Sequence, residues 1–546
     1  MSKAKITAAL ICFGALTGLS FPPFNLWPFG FLALIPVFYI IGKTNYNLKH
    51  TFFLSWFITL SFNIFIAYWL VYTIAIYGHI PWILAMIIFL LFTLISCSRY
   101  LFFLILIKIW KNIPENSNAR FFKIIKNKYI SWTFFWGLSE FSGWQLFHAL
   151  GANSAGGDMY LLQTADLFGI YGVSLLWFLT NLLIYDIIIL VLENKSRWKY
   201  SLLYKNVNLI VVSFILVCAH IYGFVSMRYW ENTNEHYEKR KIALVQGNAP
   251  LGFESMKSIY EQLMDILKSI ENQTINMLKK SAIENNQPEL VIWPESSVPF
   301  LSFQAPGEFS KTISNIQKKY KTAMIINDIY VEQTGLRNRF FNNLWLLGAD
   351  ESRIGYYHKI RLLPFGEFIP LGNFFPGLYK LVPEIGGFTS GNEKKTLYIN
   401  SMHILPSICY ELLPPDFTLD FFQESGKNAQ LVVNITNDTW FGQTTEVDQH
   451  IKASSIRAIE LRLPIIRATN SGISAYIDTT GRIHNPTESY TKDYRIYDIP
   501  IPDKSHSIYS IVGLWPFKIF LLINILFWLP TGYSMILARR RGTAIE

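Results

Sequence analysis

Apolar runs separated by short polar breaks fill the first 226 residues and return at the C-terminal end. Eight such runs are read at approximately 6–21, 27–42, 52–75, 82–106, 130–147, 165–191, 207–226 and 518–537. Each is long enough, or nearly so, for a hydrocarbon core of roughly 30 Å, so each is a predicted membrane span. The first run is short and stops at Phe21-Pro22-Pro23-Phe24. Pro-Pro cannot continue a helix, and a tight turn into the second span is predicted there. That run resembles the apolar stretch of a signal peptide, but the spans that follow favour an uncleaved first helix.

Between residues 227 and 517 the texture changes. Short β-rich runs appear at Lys241 to Val245, Leu290 to Trp293, Ala323 to Ile326 and Leu431 to Ile435. Helical patterns lie between some of them, from Ser255 to Glu284 and from His450 to Leu463. Such mixing predicts one α/β domain, a sheet covered by helices. The layout is a seven-helix transmembrane region (1–226), an α/β domain (227–517), then a last transmembrane helix with a basic tail (518–546). No internal repeat or low-complexity tract is evident.

Composition agrees with a membrane protein: 51% of the 546 residues are hydrophobic and only 16% charged, where soluble chains carry about 25% charged residues. The net charge of +10 invites a nucleic-acid partner. Its distribution argues otherwise, because the excess falls in short loops between apolar runs. Basic residues precede span one (Lys3, Lys5) and fill the loop after span two (Lys43, Lys49). They recur after span four (Lys108, Lys111, Arg120, Lys123, Lys126, Lys128), after span six (Lys195, Arg197, Lys199, Lys205) and in the tail (Arg539, Arg540, Arg541). The alternate loops 22–26, 76–81 and 148–164 contain no Lys or Arg. By the positive-inside rule both termini are cytoplasmic, which puts 227–517 on the outer face after seven crossings.

Of the four cysteines, Cys12, Cys97 and Cys218 lie inside apolar runs, so no disulfide framework is available. Cys409 stands apart. It ends the strand-like stretch His403 to Ile408 and is followed by Tyr410-Glu411. A strand-to-helix turn can hold a nucleophile at a sharp corner, with backbone N–H groups nearby for an oxyanion. An unpaired thiol there suits a nucleophile or a buried structural cysteine, and as a nucleophile it needs a base or a cation. Glu295, after Trp293-Pro294 at a strand end, is a candidate base if shielding raises its pKa, or else a solvated strand-end carboxylate. Lys359 is a candidate oxyanion stabiliser or a surface charge. Glu367, fixed in Pro364-Phe365-Gly366-Glu367-Phe368, could orient Lys359 or be an exposed turn residue.

Taken in order, these motifs resemble the nitrilase (carbon–nitrogen hydrolase) superfamily and its Glu-Lys-Cys triad. The membrane flanks sharpen the resemblance to the apolipoprotein N-acyltransferase family. It is carried by Val245-Gln246-Gly247-Asn248, Trp293-Pro294-Glu295, Pro364 to Pro370 and Ile408-Cys409-Tyr410-Glu411. Further strings are Asn437-Asp438-Thr439-Trp440-Phe441-Gly442, Arg457-Ala458-Ile459-Glu460, Arg467 to Gly472 and, in the membrane part, Gln163 to Gly169 leading into Tyr171-Gly172-Val173-Ser174. The resemblance implies an α-β-β-α sandwich on membrane helices, with Glu295 as base, Lys359 as oxyanion stabiliser and Cys409 as nucleophile. Glu367, Tyr410 and Glu411 match supporting active-site positions. It implies a phospholipid acyl donor, a diacylglyceryl apolipoprotein acceptor, membrane lipid around the chain and a ping-pong route through a Cys409 thioester. The location implied is the bacterial inner membrane, with the catalytic domain periplasmic. A lid at the bilayer is implied for Leu371 to Leu381, rich in Phe374, Phe375, Leu378 and Tyr379. Physics alone reads that segment equally as buried core.

Two departures stand out. Where the family has a Trp after Gln246-Gly247-Asn248-Ala249-Pro250, Phe253 is the only aromatic residue. The fifth span keeps Glu140 but continues Phe141-Ser142-Gly143-Trp144. An intramembrane carboxylate is a functional candidate by default, and interhelical hydrogen bonding is the reading favoured for Glu140. Arg99 is expected to snorkel to the cytoplasmic end of span four. No His-Glu-x-x-His, Cys-x-x-Cys or phosphate loop occurs, so no metal or cofactor is expected. His358, His403 and His450 read as ordinary polar residues. A membrane-tethered hydrolase using water in place of the amine is the first rival function, and a non-enzymatic binding or transport protein is the second.

Overall fold

The computed structural model describes all residues except 45–46, 114–123, 194–206, 251–257, 299–302, 304–306, 335–336, 371, 373, 376, 378, 380–386, 504–506 and 542–546. The chain divides into two compact units. One comprises Met1–Val71, Pro81–Met227 and Val512–Glu546; the other comprises Tyr72–Ile80 and Arg228–Ile511.

The first unit is helical. Among the described residues four helices are long and apolar enough to cross a membrane: Lys3–Ser20, Trp82–Lys111, Ala165–Leu192 and Val207–His236. Leu48–Ile66 and Trp69–Ile76, bent by 73° at their break, make a fifth if counted together. Trp27–Lys43 and Trp515–Leu529 are apolar but shorter. Local chemistry explains the shortening. The run at 27–42 opens as a 3-10 turn, Trp27–Leu32, with a proline in its first turn, and the run at 130–147 is a 15-residue helix, Lys128–Ser142, stopped at Gly143. Of the loop charges on which the expected orientation rests, Arg120, Lys123, Lys195, Arg197, Lys199 and Lys205 lie outside the described residues.

Arg99 corrects the sequence reading. It does not snorkel: it is buried against Glu140 at 3.8 Å. Arg99 Nη1 donates to the Ala149 carbonyl at 2.9 Å, and the guanidinium lies over the rings of Phe62 and Tyr100. Glu140 accepts the Gly151 N–H at 2.7 Å and the Ser174 hydroxyl, which is the hydrogen-bonding role favoured for it.

The second unit carries two six-stranded sheets. Its strands are β1 (Glu238–Gln246), β2 (Leu290–Ile292), β3 (Ala323–Thr334), β4 (Arg337–Leu347), β5 (Arg353–His358), β6 (Leu397–Ile399), β7 (Met402–Ile408), β8 (Leu431–Thr436), β9 (Ile465–Thr469), β10 (Ala475–Ile477), β11 (Ile483–His484) and β12 (Asp493–Ile501). The orders are β12-β1-β2-β3-β4-β5 and β11-β10-β9-β8-β7-β6. Pairing is parallel through β1-β2-β3 and β7-β8-β9, and antiparallel elsewhere. The parallel strands β2, β8 and β9 are buried at every position, as strands covered on both faces require.

Helices Ile259–Ile283 and Glu308–Tyr320 cover the first sheet, with Leu267, Ile270, Met277, Ile313 and Ile316 packed on Val291 and Trp293. Pro415–Glu424 and Glu446–Leu461 accompany the second sheet. The four-layer order expected from the resemblance is therefore present. Helix ends follow local rules. Ser258 and Glu261 form a capping box at the start of Ile259–Ile283, and Arg462 closes Glu446–Leu461 at a φ of +52°.

Candidate active site

In both sheets the parallel strands run the same way, and their carboxyl ends are where side chains leave the sheet and crossovers begin. β4 reverses and β5 reverses again, so β5 runs with β2 and β3 and its last residue, His358, is level with Asp328 of β3, just past the end of β2. Glu295 follows β2, Lys359 follows β5 and Cys409 follows β7. Backbone pairing extends past both assigned strands of the first sheet. The Trp293 N–H donates to the Ile325 carbonyl at 2.9 Å, and the Lys359 N–H to the Asn342 carbonyl at 2.8 Å. The three side chains are thus anchored directly to rigid strands.

They are also shut away from water. Relative exposures are 5% for Glu295, 1% for Lys359 and 7% for Cys409. The surface-charge reading of Lys359 and the solvated reading of Glu295 are thereby excluded. Lys359 Nζ lies 2.9 Å from Glu367 Oε1 and 3.5 Å from Glu295 Oε1. Glu367 is no exposed turn residue: its Oε2 accepts the Leu363 N–H at 2.8 Å while Oε1 holds the ammonium. Asn342 Nδ2 donates to both carboxylates, at 2.7 Å to Glu295 and 3.0 Å to Glu367. Asn342 is in turn fixed by Asn327 Nδ2 at 2.8 Å. Among the described residues Glu295 Oε2 has no hydrogen-bond partner from any N–H or O–H group, and the Cys409 thiol bears on the same carboxylate.

Cys409 begins a short 3-10 turn, Cys409–Leu412, rather than a helix. Its φ is +53°, a left-handed conformation that costs a β-carbon residue about 1 kcal/mol. This is the sharp corner expected of a nucleophile at a strand end. Glu411 braces the corner. Its Oε2 accepts the Ile408 N–H at 2.9 Å, and its Oε1 accepts Ile360 N–H at 2.7 Å, Arg361 N–H at 3.0 Å and the Tyr357 hydroxyl at 2.8 Å. One carboxyl group therefore ties the end of β7 to the segment just after Lys359. Tyr410 is buried in the same turn, beside Arg361.

Electrostatics set the resting state. Burial, followed by the charge of Glu295, raises the Cys409 thiol, while Lys359 pulls it down; the net effect is upward, so the group rests as a thiol. Burial raises Glu295, and Lys359 opposes that shift only in part. For Lys359 burial acts downward, yet the carboxylates of Glu295 and Glu367 outweigh it and hold the ammonium above its usual range. Burial pushes Glu411 up to about 7 despite its N–H donors. A buried base with a raised pKa beside a thiol and a fixed cation can take the sulfur's proton and then hold a developing oxyanion.

The chain matches two family descriptions in sequence order. Residues 13–183 match the apolipoprotein N-acyltransferase N-terminal domain, and residues 241–504 match the carbon–nitrogen hydrolase family. This chain belongs to the apolipoprotein N-acyltransferase family, within the nitrilase superfamily. Among similar proteins, the apolipoprotein N-acyltransferase of Geobacter metallireducens is 29% identical, over 87% of this chain and 85% of that one. Apolipoprotein N-acyltransferase 2 of Leptospira interrogans is 26% identical, over 97% and 95%. The apolipoprotein N-acyltransferase of Pseudomonas syringae is 27% identical, over 96% of each chain. The carbon–nitrogen hydrolase match spans Glu295, Lys359 and Cys409, and the N-terminal match spans Arg99 and Glu140.

Two expectations fall partly or wholly outside the described residues. Phe253 lies in the undescribed stretch 251–257. Of the segment Leu371 to Leu381, Leu371, Leu378 and Leu381 are undescribed, whereas Phe374 and Phe375 are exposed and the Tyr379 hydroxyl accepts the Ile369 N–H at 3.3 Å.

Sequence reasoning missed a second polar cluster. His450, read as an ordinary polar residue, is buried, with Nδ1 3.0 Å from Asp438 Oδ1 and 3.5 Å from Glu446 Oε1. Arg467 Nη2 lies 2.7 Å from Asp438 Oδ2. Asp438, Glu446 and His450 are close enough to share an ion, but the cation already bound to this carboxylate is Arg467. A signal was present: Arg467 interrupts the apolar run Ile465 to Ala468, and the Asn342-Asn343 pair lies between Phe340-Phe341 and Leu344-Trp345. Buried polar groups of that kind require partners.

Proposed function

We propose that the chain N-acylates the N-terminal S-diacylglyceryl cysteine of apolipoproteins, using a phospholipid as donor and a Cys409 thioester as intermediate. The observation that carries this reading is the convergence of Glu295, Lys359 and Cys409 at the ends of three strands, all buried, with Lys359 between two carboxylates. Family membership supports the acceptor class, and the apolar helices suit lipid-embedded substrates.

In the first half-reaction Glu295 takes the Cys409 proton and the thiolate attacks an ester carbonyl of the phospholipid. Lys359, together with a backbone N–H near Tyr410, holds the oxyanion. The ester C–O bond breaks, and Glu295 returns its proton to the lysophospholipid oxygen. In the second half-reaction the α-amine attacks the thioester, the C–S bond breaks, and an amide and the free thiol result. Glu367 orients Lys359, and Glu411 with Tyr410 shapes the corner. The reading includes eight spans, cytoplasmic termini and domain boundaries at 1–226, 227–517 and 518–546. It places the catalytic domain on the periplasmic face of a bacterial inner membrane.

Intact mass spectrometry of the detergent-solubilised protein with phospholipid alone tests the reading. The expected result is an acyl adduct on Cys409 that a diacylglyceryl-cysteine peptide discharges with N-acylation of the peptide. Release of free fatty acid with no acylated peptide would support the membrane-tethered hydrolase instead.

A further inference from the structure

The buried cluster of Asp438, His450 and Arg467 has no part in the mechanism above, yet it lies directly behind the nucleophile. Parallel pairing of β7 with β8 sets Ile408 opposite Ile435, so Cys409 and Thr436 are neighbours where the two strands end. Asn434 confirms the closeness, its Nδ2 lying 3.4 Å from the Cys409 carbonyl. Thr436 is fully buried, and its hydroxyl donates to Asp438 Oδ1 over 3.3 Å. That is the longest contact Asp438 makes in the cluster. Arg467 holds Oδ2 at 2.7 Å, and His450 holds Oδ1 at 3.0 Å. Asp438 therefore keeps two closer partners if the hydroxyl turns away.

We propose that the Thr436 hydroxyl is a catalytic donor to the Cys409 sulfur, lent by Asp438 at the moment the thiol loses its proton. At rest the O–H points to Asp438 and the S–H to Glu295. When the proton passes from Sγ to Glu295, negative charge appears on a buried sulfur. Rotation about the Cβ–Oγ1 bond then turns the Thr436 hydrogen from Asp438 towards Sγ, without transfer of that proton. Once the sulfur is acylated and neutral, the O–H returns to Asp438. Thr436 is the hydroxyl placed to favour the ionised form of Cys409, whereas the charge of Asp438 acts against it. Arg467 and His450, by holding Asp438 in place, keep that opposing carboxylate satisfied.

This inference rests on Cys409 being the nucleophile of the proposed function, but it is tested without an acyl acceptor. The full-length protein in detergent is treated with iodoacetamide from neutral to alkaline pH, and the adduct is read on the Cys409 peptide. Glu295 and Lys359 face the sulfur from the first sheet and Asp438 from beyond β8; all are left intact. Thr436→Val is expected to slow alkylation at neutral pH about tenfold and to move the profile alkaline by about one unit. Thr436→Ala should do the same without the added methyl bulk, and Thr436→Ser should restore both rate and profile. The same comparison with phospholipid as reagent should show slowed thioester formation in the Val and Ala variants. Wild-type profiles in folded Thr436→Val or Thr436→Ala would overturn the proposal. A hydroxyl-dependent profile in a chain that transfers no acyl group would instead overturn the proposed function and leave this inference standing.

Discussion

Arg99 with Glu140 in the helical unit, and Lys359 with Glu295 and Glu367 in the α/β unit, are both ionic clusters withdrawn from water. They differ in what is left over. Both oxygens of Glu140 are used, by Gly151 and Ser174, and Arg99 is spent on Ala149, Tyr100 and aromatic faces. Nothing in that cluster is free to react. In the other, Glu295 Oε2 lacks an N–H or O–H donor among the described residues, and the neighbouring thiol is held in a left-handed corner. A saturated buried cluster locks helices together; one with a single unfilled position beside a nucleophile can move a proton. Burial and charge alone do not separate the two cases, but the accounting of donors and acceptors does.

The sharpest test of this contrast is at Cys409. Cys409→Ser should reduce acyl transfer by about 10³-fold or more while leaving thermal unfolding in detergent nearly unchanged. Next come the charges that serve the thiol. Glu295→Gln and Lys359→Met should each lower the rate of thioester formation by roughly 10²- to 10³-fold in single-turnover mass measurements. Lys359→Met should also destabilise the fold, because it leaves two carboxylates buried without their cation.

The helical cluster should behave in the opposite way. Glu140→Gln strands Arg99 and should cost about 3 kcal/mol or more of stability, with the rate per folded molecule held within about twofold. Loss of acyl transfer without loss of stability in that variant would break the comparison.

The smallest effects concern pH. Thioester formation should fall on acidification, with an apparent pKa above the ordinary carboxylate range, because Glu295 must be ionised and burial raises it. Stability should run the other way in the same region. Burial raises Glu411 to about 7, so the folded state binds a proton that the unfolded state has already lost. That contribution is complete below the unfolded carboxylate pKa and disappears as pH rises through about 7. A scan of the unfolding midpoint against pH should therefore decline gently towards neutrality.

Much of this was legible in one dimension. Apolar run length marked the helical part, and strand-like runs ended by Glu295 and Cys409 marked the site, because burial imposes a local period and turns follow from local residue chemistry. The order of motifs along the chain was enough to point to the family. The sequence could not say which apolar runs would be cut short by Pro28 or Gly143, since helix ends also depend on packing. Nor could it say that Arg99 turns inward to Glu140, 41 positions away, instead of snorkelling.

The site itself was decided by the fold. Glu295, Lys359 and Cys409 are far apart along the chain, and only the strand orders of two sheets make them neighbours. The same pairing turned His450 from a polar residue on a helix into part of a buried cluster behind Cys409, and set Thr436 beside that cysteine. Residue type and spacing report what one element buries. Which buried groups share a partner is a property of long-range register, and for this protein that register decides which carboxylate oxygen is left open.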